Sequence, residues 1–250
     1  RPPGNLTVLV LGLHDFRHVM DVLATFSAQL DLTAFEFFSD QAMAYVLTHA
    51  DVSPPFATRT PFYVLLEFDC DSENMLEQAM TLFSACLQKG WVIDGVVSQS
   101  ETQAKNLWRL REDISESIAS KTPYKNDISV VPSKVPEFLD RIDELVRSEY
   151  PDFEIIWYGH IGDGNLHLNI LKPDQLSKEH FFSRCEQVNK MVFDTVEAFA
   201  GSVSAEHGVG LLKKDYLQFT RSPLEIDYLR ALKRVFDPNN VMNPGKVIDL

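Results

Sequence analysis

The segment Trp157–Leu171 (WYGHIGDGNLHLNIL) constrains the fold more than any other part of the sequence. Asp163 and Gly164 lie between two strand-like runs. This dipeptide is typical of a two-residue hairpin turn, because glycine tolerates the positive φ that such a turn requires. A turn of this kind pairs His160 with His167. The sequence therefore predicts an antiparallel strand pair with two histidines side by side.

The same register gives the hairpin a polar and an apolar face. Tyr158, His160, His167 and Asn169 share the polar face, and apolar residues alternate onto the other. Directly opposed side chains have Cβ atoms about 4.5–5.5 Å apart. Two imidazoles at that separation can bind one metal ion. A hydrogen-bonded histidine pair without a metal is the alternative, and the hairpin by itself leaves both interpretations open.

A second group of metal-ligating residue types occurs in Ser202–Gly210 (SVSAEHGVG). Glu206 or His207 could supply a third metal ligand. With Glu206 the set would be two histidines and one carboxylate, which is typical of catalytic zinc with an open coordination position. The other residue would remain free near the metal, and a histidine there could act as a base near neutral pH. The alternative is a glycine loop that caps a helix and exposes a Glu-His pair. The spacing does not decide which of the two residues binds metal.

The formal net charge of -13 argues against binding to nucleic acid, whose phosphates attract basic surfaces. An acidic protein that binds an anion must concentrate positive charge locally. Arg111 lies on a predicted helix with Ser115 four residues further along the same face, and Lys125 lies on the next predicted strand beside Asp127. An arginine can bind a carboxylate through two hydrogen bonds. For each of these basic residues a solvated surface charge is the alternative, and Lys213 and Lys214 are predicted to be solvated.

Strand-like and helix-like segments alternate along the chain, which predicts an α+β fold. We expect one domain over residues 1–250, with an antiparallel or mixed sheet, helices on one face, and a helical extension from about residue 211. No apolar run approaches the roughly 18 residues that a membrane helix needs. The three isolated cysteines predict buried thiols in a reducing compartment. The chain begins Arg1-Pro2-Pro3 without methionine, so we expect it to be a segment of a longer protein.

Three motifs carry a resemblance to a known family: GHIGDGNLH at 159–167, SAEHGVG at 204–210 and FDPNNVMNPGKV at 236–247. In this order they resemble the C-terminal half of FAD-linked oxidases of the vanillyl-alcohol-oxidase superfamily, in particular the D-2-hydroxyacid dehydrogenases. LWRLRE at 107–112 and the region 125–127 are most similar to the members that oxidise D-2-hydroxyglutarate. The resemblance implies a ferredoxin-like α+β substrate domain with a C-terminal helical segment.

The resemblance also implies roles for individual residues. The metal, usually zinc or another divalent ion, would be held by His160, His167 and Glu206, with His207 as the general base. The implied substrate-binding residues are Arg111, Ser115, Lys125 and Asn169. Asn243 would lie toward the flavin.

FAD would bind to a preceding N-terminal domain that this sequence lacks, because no glycine-rich phosphate loop is found here. The chain alone is therefore expected to be inactive in redox chemistry. The resemblance implies a small 2-hydroxyacid as substrate and an electron-transfer flavoprotein or quinone as acceptor, and it is compatible with a homodimer. The expected location is the cytoplasm of a bacterium, with or without peripheral membrane contact, or the mitochondrial matrix of a eukaryote. The alternatives are a D-lactate or glycolate dehydrogenase of the same family, a non-catalytic metal- or carboxylate-binding module, and a structural domain with a satisfied histidine pair.

Overall fold

The computed structural model describes residues 4–250 and contains one seven-stranded antiparallel sheet with strand order β4-β1-β3-β2-β6-β7-β5. The predicted α+β class is thus confirmed. The strands are β1 (Leu6–Leu13), β2 (Leu32–Ser39), β3 (Phe62–Asp69), β4 (Asp94–Val97), β5 (Tyr124–Ser129), β6 (Glu154–Gly159) and β7 (Asn165–Leu171). The α-helices are α1 (His18–Ser27), α2 (Asp40–His49), α3 (Glu73–Gln88), α4 (Glu101–Glu112), α5 (Ile114–Ser117), α6 (Val135–Glu149), α7 (Lys178–Ala198) and α8 (Pro223–Phe236). The domain predicted over 1–250 includes residues 1–3, which lie outside the described part of the chain.

The ferredoxin-like arrangement occurs twice. In the first half, β1-α1-β2-β3-α3-β4 forms the order β4-β1-β3-β2, with α2 inserted between β2 and β3. In the second half, β5-α6-β6-β7-α7 forms the order β6-β7-β5. The fourth strand of the second unit is reduced to a single bridge between Ser129 and Ser202. The two units join edge to edge through β2 and β6, so the segment after α7 lies at the far edge of the sheet beside β5.

Helices cover both faces of the sheet, so the expectation of helices on one face was wrong. Leu9 and Leu11 of β1 pack in a core with α1, α3, α6 and α7, whereas Val8 and Val10 pack with α2, α4 and α5 on the other face. The physical reason lies in β1 itself, which is apolar and buried at nearly every position. A strand of that composition needs a covering layer on each side. The second layer brings α4 and α5 over the face that carries the polar residues of the hairpin.

The hairpin register differs from the predicted one by two residues. Tyr158, and not His160, lies opposite His167. The connection is a five-residue loop, His160–Gly164, that contains a short 3-10 turn and ends with Gly164 at a φ of 73°. The loop is held by its own backbone hydrogen bonds, from Asp163 and Asn165 to the His160 oxygen and from Gly164 to the Ile161 oxygen, and Ile161 is completely buried. Because side chains alternate with a period of two, the slip by two residues leaves each strand residue on its predicted face.

The segment from residue 211 onward forms a 3-10 helix, Lys214–Phe219, followed by α8. Ser222 begins α8 with a capping box, since its side chain accepts from the Glu225 N–H and the Glu225 carboxylate accepts from the Ser222 N–H. Helix α8 has no buried residue, although it carries a row of apolar side chains. Among the described residues, no helix is both long and apolar enough to cross a membrane.

Candidate active site

A cavity of about 250 Å³ lies on the sheet face covered by α4 and α5, above β5, β6 and β7. It gathers every site residue predicted from the sequence except Asn243. The lining residues are Arg111, Ser115, Lys125, Asn126, Tyr158, His160, His167, Asn169, Glu206 and His207. Residues from a helix pair, three strands and a glycine loop therefore meet at one place.

Strand pairing positions the floor of the cavity. Lys125 of β5 lies opposite Asn169 of β7, and Asp127 lies opposite His167. On the other side of β7, Tyr158 lies opposite His167 and its ring packs 4.8 Å from the imidazole, measured between ring centroids. The intervening β7 residues point into the core on the other face, which holds these polar side chains on the cavity side.

Three imidazoles converge on the carboxylate of Glu206. Its oxygens lie 3.5 Å from His160 Nε2, 3.3 Å from His167 Nε2 and 3.5 Å from His207 Nε2. Imidazole nitrogens with one carboxylate form a ligand set that suits a divalent transition metal such as zinc. A metal-compatible group of four, Asp127, His167, Glu206 and His207, has ligating atoms within 4.8 Å of one another. The donor set therefore fits a metal ion. His160 is not part of this group of four, and its Nε2 lies 3.5 Å from the other oxygen of the carboxylate, Glu206 Oε2.

Asp127 is the first site residue that the sequence reasoning missed. It contacts the loop that carries Glu206 and His207. Its Oδ2 accepts hydrogen bonds from the backbone N–H groups of Glu206, at 3.0 Å, and His207, at 2.8 Å. Its Oδ1 is buried and has no hydrogen-bond partner among the described residues. Burial tends to raise the pKa of this carboxyl group, but the two backbone hydrogen bonds and the nearby His207 and Lys213 together keep the pKa below its usual value. The sequence signal was available, because Asp127 shares a strand face with Lys125.

Glu36 is the second site residue that the sequence reasoning missed. It lies on β2, is only 5% exposed, and its Oε1 is 2.7 Å from His160 Nδ1. Its Oε2 is 3.0 Å from Arg111 Nε. The hydrogen bond with Glu36 raises the pKa of His160 above its ordinary value, against the opposing effect of burial. A lone acidic residue within the apolar run of β2 was the available signal for a buried polar role.

The basic residues form the anion-binding side of the cavity. Arg111 is buried, and its guanidinium lies 4.7 Å above the ring of Tyr158. Its Nη2 has no hydrogen-bond partner among residues 4–250. Lys125 Nζ donates to Ser115 Oγ at 2.8 Å. A planar guanidinium and an ammonium group thus line one cavity and are available to carboxylates.

Burial sets the protonation state of the central histidine. It lowers the pKa of His167 to about 3, with smaller contributions from nearby Arg111 and other groups. In the metal-free protein this imidazole is therefore neutral at ordinary pH. A neutral imidazole has a lone pair for a metal ion, so the environment of His167 is consistent with its predicted role as a ligand.

One basic residue lies elsewhere than predicted. Lys213 is not solvated, because its Nζ donates to the backbone oxygens of Asp127, at 3.1 Å, and Val203, at 2.7 Å. These two hydrogen bonds link Val203, in the segment that leads to Glu206, to Asp127 of β5. Asn243 lies in the C-terminal tail outside the cavity, where its Oδ1 accepts from Lys246 Nζ.

The sequence and the fold are similar to those of known proteins. The family described as "FAD linked oxidases, C-terminal domain" matches residues 2–247. D-2-hydroxyglutarate dehydrogenase of Stutzerimonas stutzeri (strain A1501) is 61% identical over 99% of this chain, which covers 53% of that protein. D-2-hydroxyglutarate dehydrogenase of Xanthomonas citri pv. viticola is 50% identical over 99% of the chain and 52% of that protein. The chain thus spans about half the length of these curated relatives.

Among solved structures, p-cresol methylhydroxylase with substrate bound is similar in fold, with a TM-score of 0.65. The similarity covers 99% of this chain and 53% of that one, at 13% sequence identity. At this identity the likeness concerns the fold alone.

Proposed function

Because the chain belongs to the family of FAD linked oxidases, C-terminal domain, we propose that it is the substrate- and metal-binding half of a flavin-dependent dehydrogenase. The proposed reaction is oxidation of a D-2-hydroxyacid, D-2-hydroxyglutarate in the first place, to the 2-oxoacid. One observation carries the proposal: three imidazoles and the Glu206 carboxylate converge in the same cavity as Arg111 and Lys125. This combination provides metal ligands, a base and carboxylate-binding cations within one small volume.

The two cations favour a dicarboxylate. Arg111 is a buried guanidinium with an unpartnered Nη2, and Lys125 approaches from β5 on the floor of the cavity. A monocarboxylate such as D-lactate or glycolate needs only one of these groups. D-2-hydroxyglutarate carries two carboxylates, so each cation would bind one of them and the pair would orient C2. In a chain with a net charge of -13, this local positive charge is needed to attract a dianion.

His207 is the proposed proton acceptor. Its side chain is 55% exposed, against 7% for His167, and its Nε2 lies 3.5 Å from Glu206 Oε1. It would take the proton of the substrate's 2-hydroxyl group as the C2–H bond breaks. When bound by His160, His167 and Glu206, a divalent metal would polarise that hydroxyl group and lower its pKa. FAD, held in the remainder of the full-length protein, would supply the acceptor for the hydride.

The C-terminal segment offers a surface for that FAD-binding part. Several of its large apolar side chains are open to solvent, among them Leu212 at 90%, Val235 at 72%, Phe236 at 78% and Val241 at 74%. An exposed apolar patch of this kind marks an interaction surface. We propose that the FAD-binding part covers this surface, with Asn243 toward the flavin. The electron acceptor would be an electron-transfer flavoprotein or a quinone, and the location the bacterial cytoplasm or the mitochondrial matrix.

The substitution His207→Asn in the full-length enzyme tests the mechanism. We expect kcat to fall by a factor of about 10²–10⁴, because a general base is lost. The metal content of the purified variant should stay near that of the unchanged enzyme. His49→Asn is the matched control, since His49 ends α2 on the protein surface. Parallel loss of metal and activity in His207→Asn would instead identify His207 as a ligand.

The substrate class is tested by kcat/KM for D-2-hydroxyglutarate and D-lactate with the same enzyme. We expect a clear preference for the dicarboxylate. A preference for D-lactate would favour the alternative dehydrogenase. Tight binding of either acid without reduction of a fully loaded flavin would favour a non-catalytic binding module.

A further inference from the structure

The three histidines of the cavity share one orientation. Each directs Nε2 toward Glu206, and each directs Nδ1 toward a buried carboxylate. His160 Nδ1 lies 2.7 Å from Glu36 Oε1. His167 Nδ1 lies 3.8 Å from Asp127 Oδ1, and His207 Nδ1 lies 3.6 Å from Asp127 Oδ2. The first distance is that of a hydrogen bond. The other two are longer than a hydrogen bond, so Asp127 acts on those two rings through its charge alone.

We propose that Glu36 and Asp127 are positioning residues that hold the proton of each imidazole on Nδ1, which leaves all three Nε2 lone pairs directed at the metal and substrate position. The inference rests on the proposed function, in which these rings bind the metal and accept the substrate proton. Neither carboxylate is among the residues expected from the resemblance. Both are almost fully buried, at 5% and 1% exposure.

The chemistry follows from the groups available to each ring. A neutral imidazole has one N–H donor and one acceptor nitrogen, and the group that faces either nitrogen selects the tautomer. An ionised carboxylate only accepts hydrogen bonds, so it selects the tautomer with the proton on the nitrogen beside it. Carboxylates in this position behind metal-bound histidines orient the ring and increase its basicity.

Asp127 can serve two rings because its oxygens have separate partners. Oδ2 accepts the backbone N–H groups of Glu206 and His207, which fixes the loop that carries both functional side chains. Oδ1 has no hydrogen-bond partner among the described residues and lies on the His167 side. The rings of His167 and His207 are stacked at 5.6 Å with an interplanar angle of 18°. They therefore present the same edge to the carboxylate.

Glu36 connects the metal side of the cavity with its anion-binding side. One oxygen faces His160 and the other faces Arg111 Nε. Arg111 Nε and Glu36 Oε2 form an ion pair without a hydrogen bond. Because arginine carries a positive charge and N–H donors only, the group beside it must be an oxygen and not an NH₂ group. The same carboxylate thus orients the guanidinium expected to bind substrate and the imidazole expected to bind metal. Sequence separation hides this link, because residues 36 and 160 are 124 positions apart.

The amide variants reverse the tautomer while keeping the shape of the side chain. In Glu36→Gln, the oxygen must face Arg111, so the NH₂ group faces His160 Nδ1 and forces the proton onto Nε2. In Asp127→Asn, the oxygen keeps the backbone N–H bonds, and the NH₂ group replaces Oδ1 beside His167. Each variant is therefore expected to place a proton on the nitrogen that should bind metal.

The experiment uses the full-length protein, labelled with ¹⁵N at histidine and freed of metal by a chelator. Long-range ¹H–¹⁵N correlation spectra at alkaline pH report the tautomer of each neutral ring. We expect Nδ1–H for His160, His167 and His207 in the unchanged protein. Glu36→Gln should convert His160, and Asp127→Asn should convert His167. Zn²⁺ affinity, measured by competition with a chelator, should fall about 10- to 100-fold in each variant.

Two control variants remove a carboxylate of similar construction away from the cavity. Glu67→Gln changes a carboxylate that accepts from Thr33 and Trp108. Asp237→Asn changes a buried carboxylate that accepts the backbone N–H groups of Val241 and Met242. Neither control should change a histidine tautomer or Zn²⁺ affinity. Circular dichroism spectra of all four variants establish that they are folded.

Several outcomes would overturn the inference. The first is an Nε2–H tautomer for these histidines in the unchanged protein. The second is an Nδ1–H tautomer that persists in folded Glu36→Gln and Asp127→Asn. The third is an equal loss of Zn²⁺ affinity in the two control variants. The tautomers are measured without metal or substrate. Tautomers as expected, in a protein that binds no zinc and oxidises no hydroxyacid, would support the positioning role and reject the proposed function.

Discussion

Gly164 ends the loop that carries His160, and its replacement by alanine is a sharp test of how that loop is held. The residue has a φ of 73°, and a Cβ atom built on it would lie 1.9 Å from the backbone oxygen of Val130. The Val130 N–H donates to the Gly164 oxygen at 3.1 Å, so loop and strand end are joined by backbone atoms that cannot move aside cheaply. Gly164→Ala therefore combines backbone strain with a steric clash.

The magnitude follows from a matched position. Gly90 also has a φ of 73°, but nothing lies within 4 Å of a Cβ atom built there. Left-handed backbone costs a residue with a side chain about 1–2 kcal/mol, and both alanine variants carry that cost. Alanine reduces the freedom of the unfolded chain equally in both, so that effect cancels. The clash adds about 1–3 kcal/mol to Gly164→Ala alone, a total of about 2–5 kcal/mol.

Urea unfolding followed by tryptophan fluorescence measures the two free energies of unfolding. We expect Gly164→Ala to be less stable than Gly90→Ala by the cost of the clash, with similar m-values. Zn²⁺ affinity should also fall in Gly164→Ala, because the loop carries His160, and stay unchanged in Gly90→Ala. Equal destabilisation of the two variants would refute the reasoning, since it would mean that β5 and the loop separate without cost.

Three further predictions concern the cavity and its surroundings. Arg111→Lys should raise KM for D-2-hydroxyglutarate roughly ten- to a hundred-fold, because the planar guanidinium that can form two hydrogen bonds with a carboxylate is lost. Arg109→Lys, on the exposed side of α4, should leave KM unchanged in the same steady-state assay. Lys213→Met should lower the free energy of unfolding by about 2 kcal/mol, since two hydrogen bonds from a charged group disappear. In parallel urea titrations, Lys214→Met should change the free energy of unfolding by less than about 0.5 kcal/mol. Val235→Asp should reduce the FAD retained by the full-length protein after gel filtration; full retention would show that the FAD-binding part does not cover α8.

Local patterns were sufficient to predict much of the fold. The alternating polar and apolar residues around His167 predicted which side chains share the cavity face, and the structure agrees. The predicted hairpin register is wrong by two residues, because Asp163 and Gly164 do not form a two-residue turn but end a five-residue loop with a 3-10 turn. The five-residue loop satisfies its own backbone groups, since the N–H groups of Asp163 and Asn165 donate to the His160 oxygen and that of Gly164 donates to the Ile161 oxygen. Alternation survives a shift of two, which explains why a wrong register still led to the right face.

The second helical layer is harder to read from sequence. A strand such as β1, apolar along its whole length, indicates burial on both faces but does not say which helices provide the cover. That choice depends on the path of α2, α4 and α5 over the sheet. It decides where Arg111 and Ser115 lie, because both are carried by this layer above β6 and β7.

The sequence by itself determined the α+β class, the identity of the two histidine motifs and most of the side chains that line the cavity. These are properties of neighbouring residues, where period, turn chemistry and residue type act locally. Only the tertiary structure decided that Glu36 faces His160 and Arg111, and that Asp127 supports the loop of Glu206 and His207. Each of these carboxylates meets partners some 75 to 124 positions away, as in the pairs Glu36–His160 and Asp127–Glu206. Such contacts arise from strand order and loop packing, which no local pattern encodes.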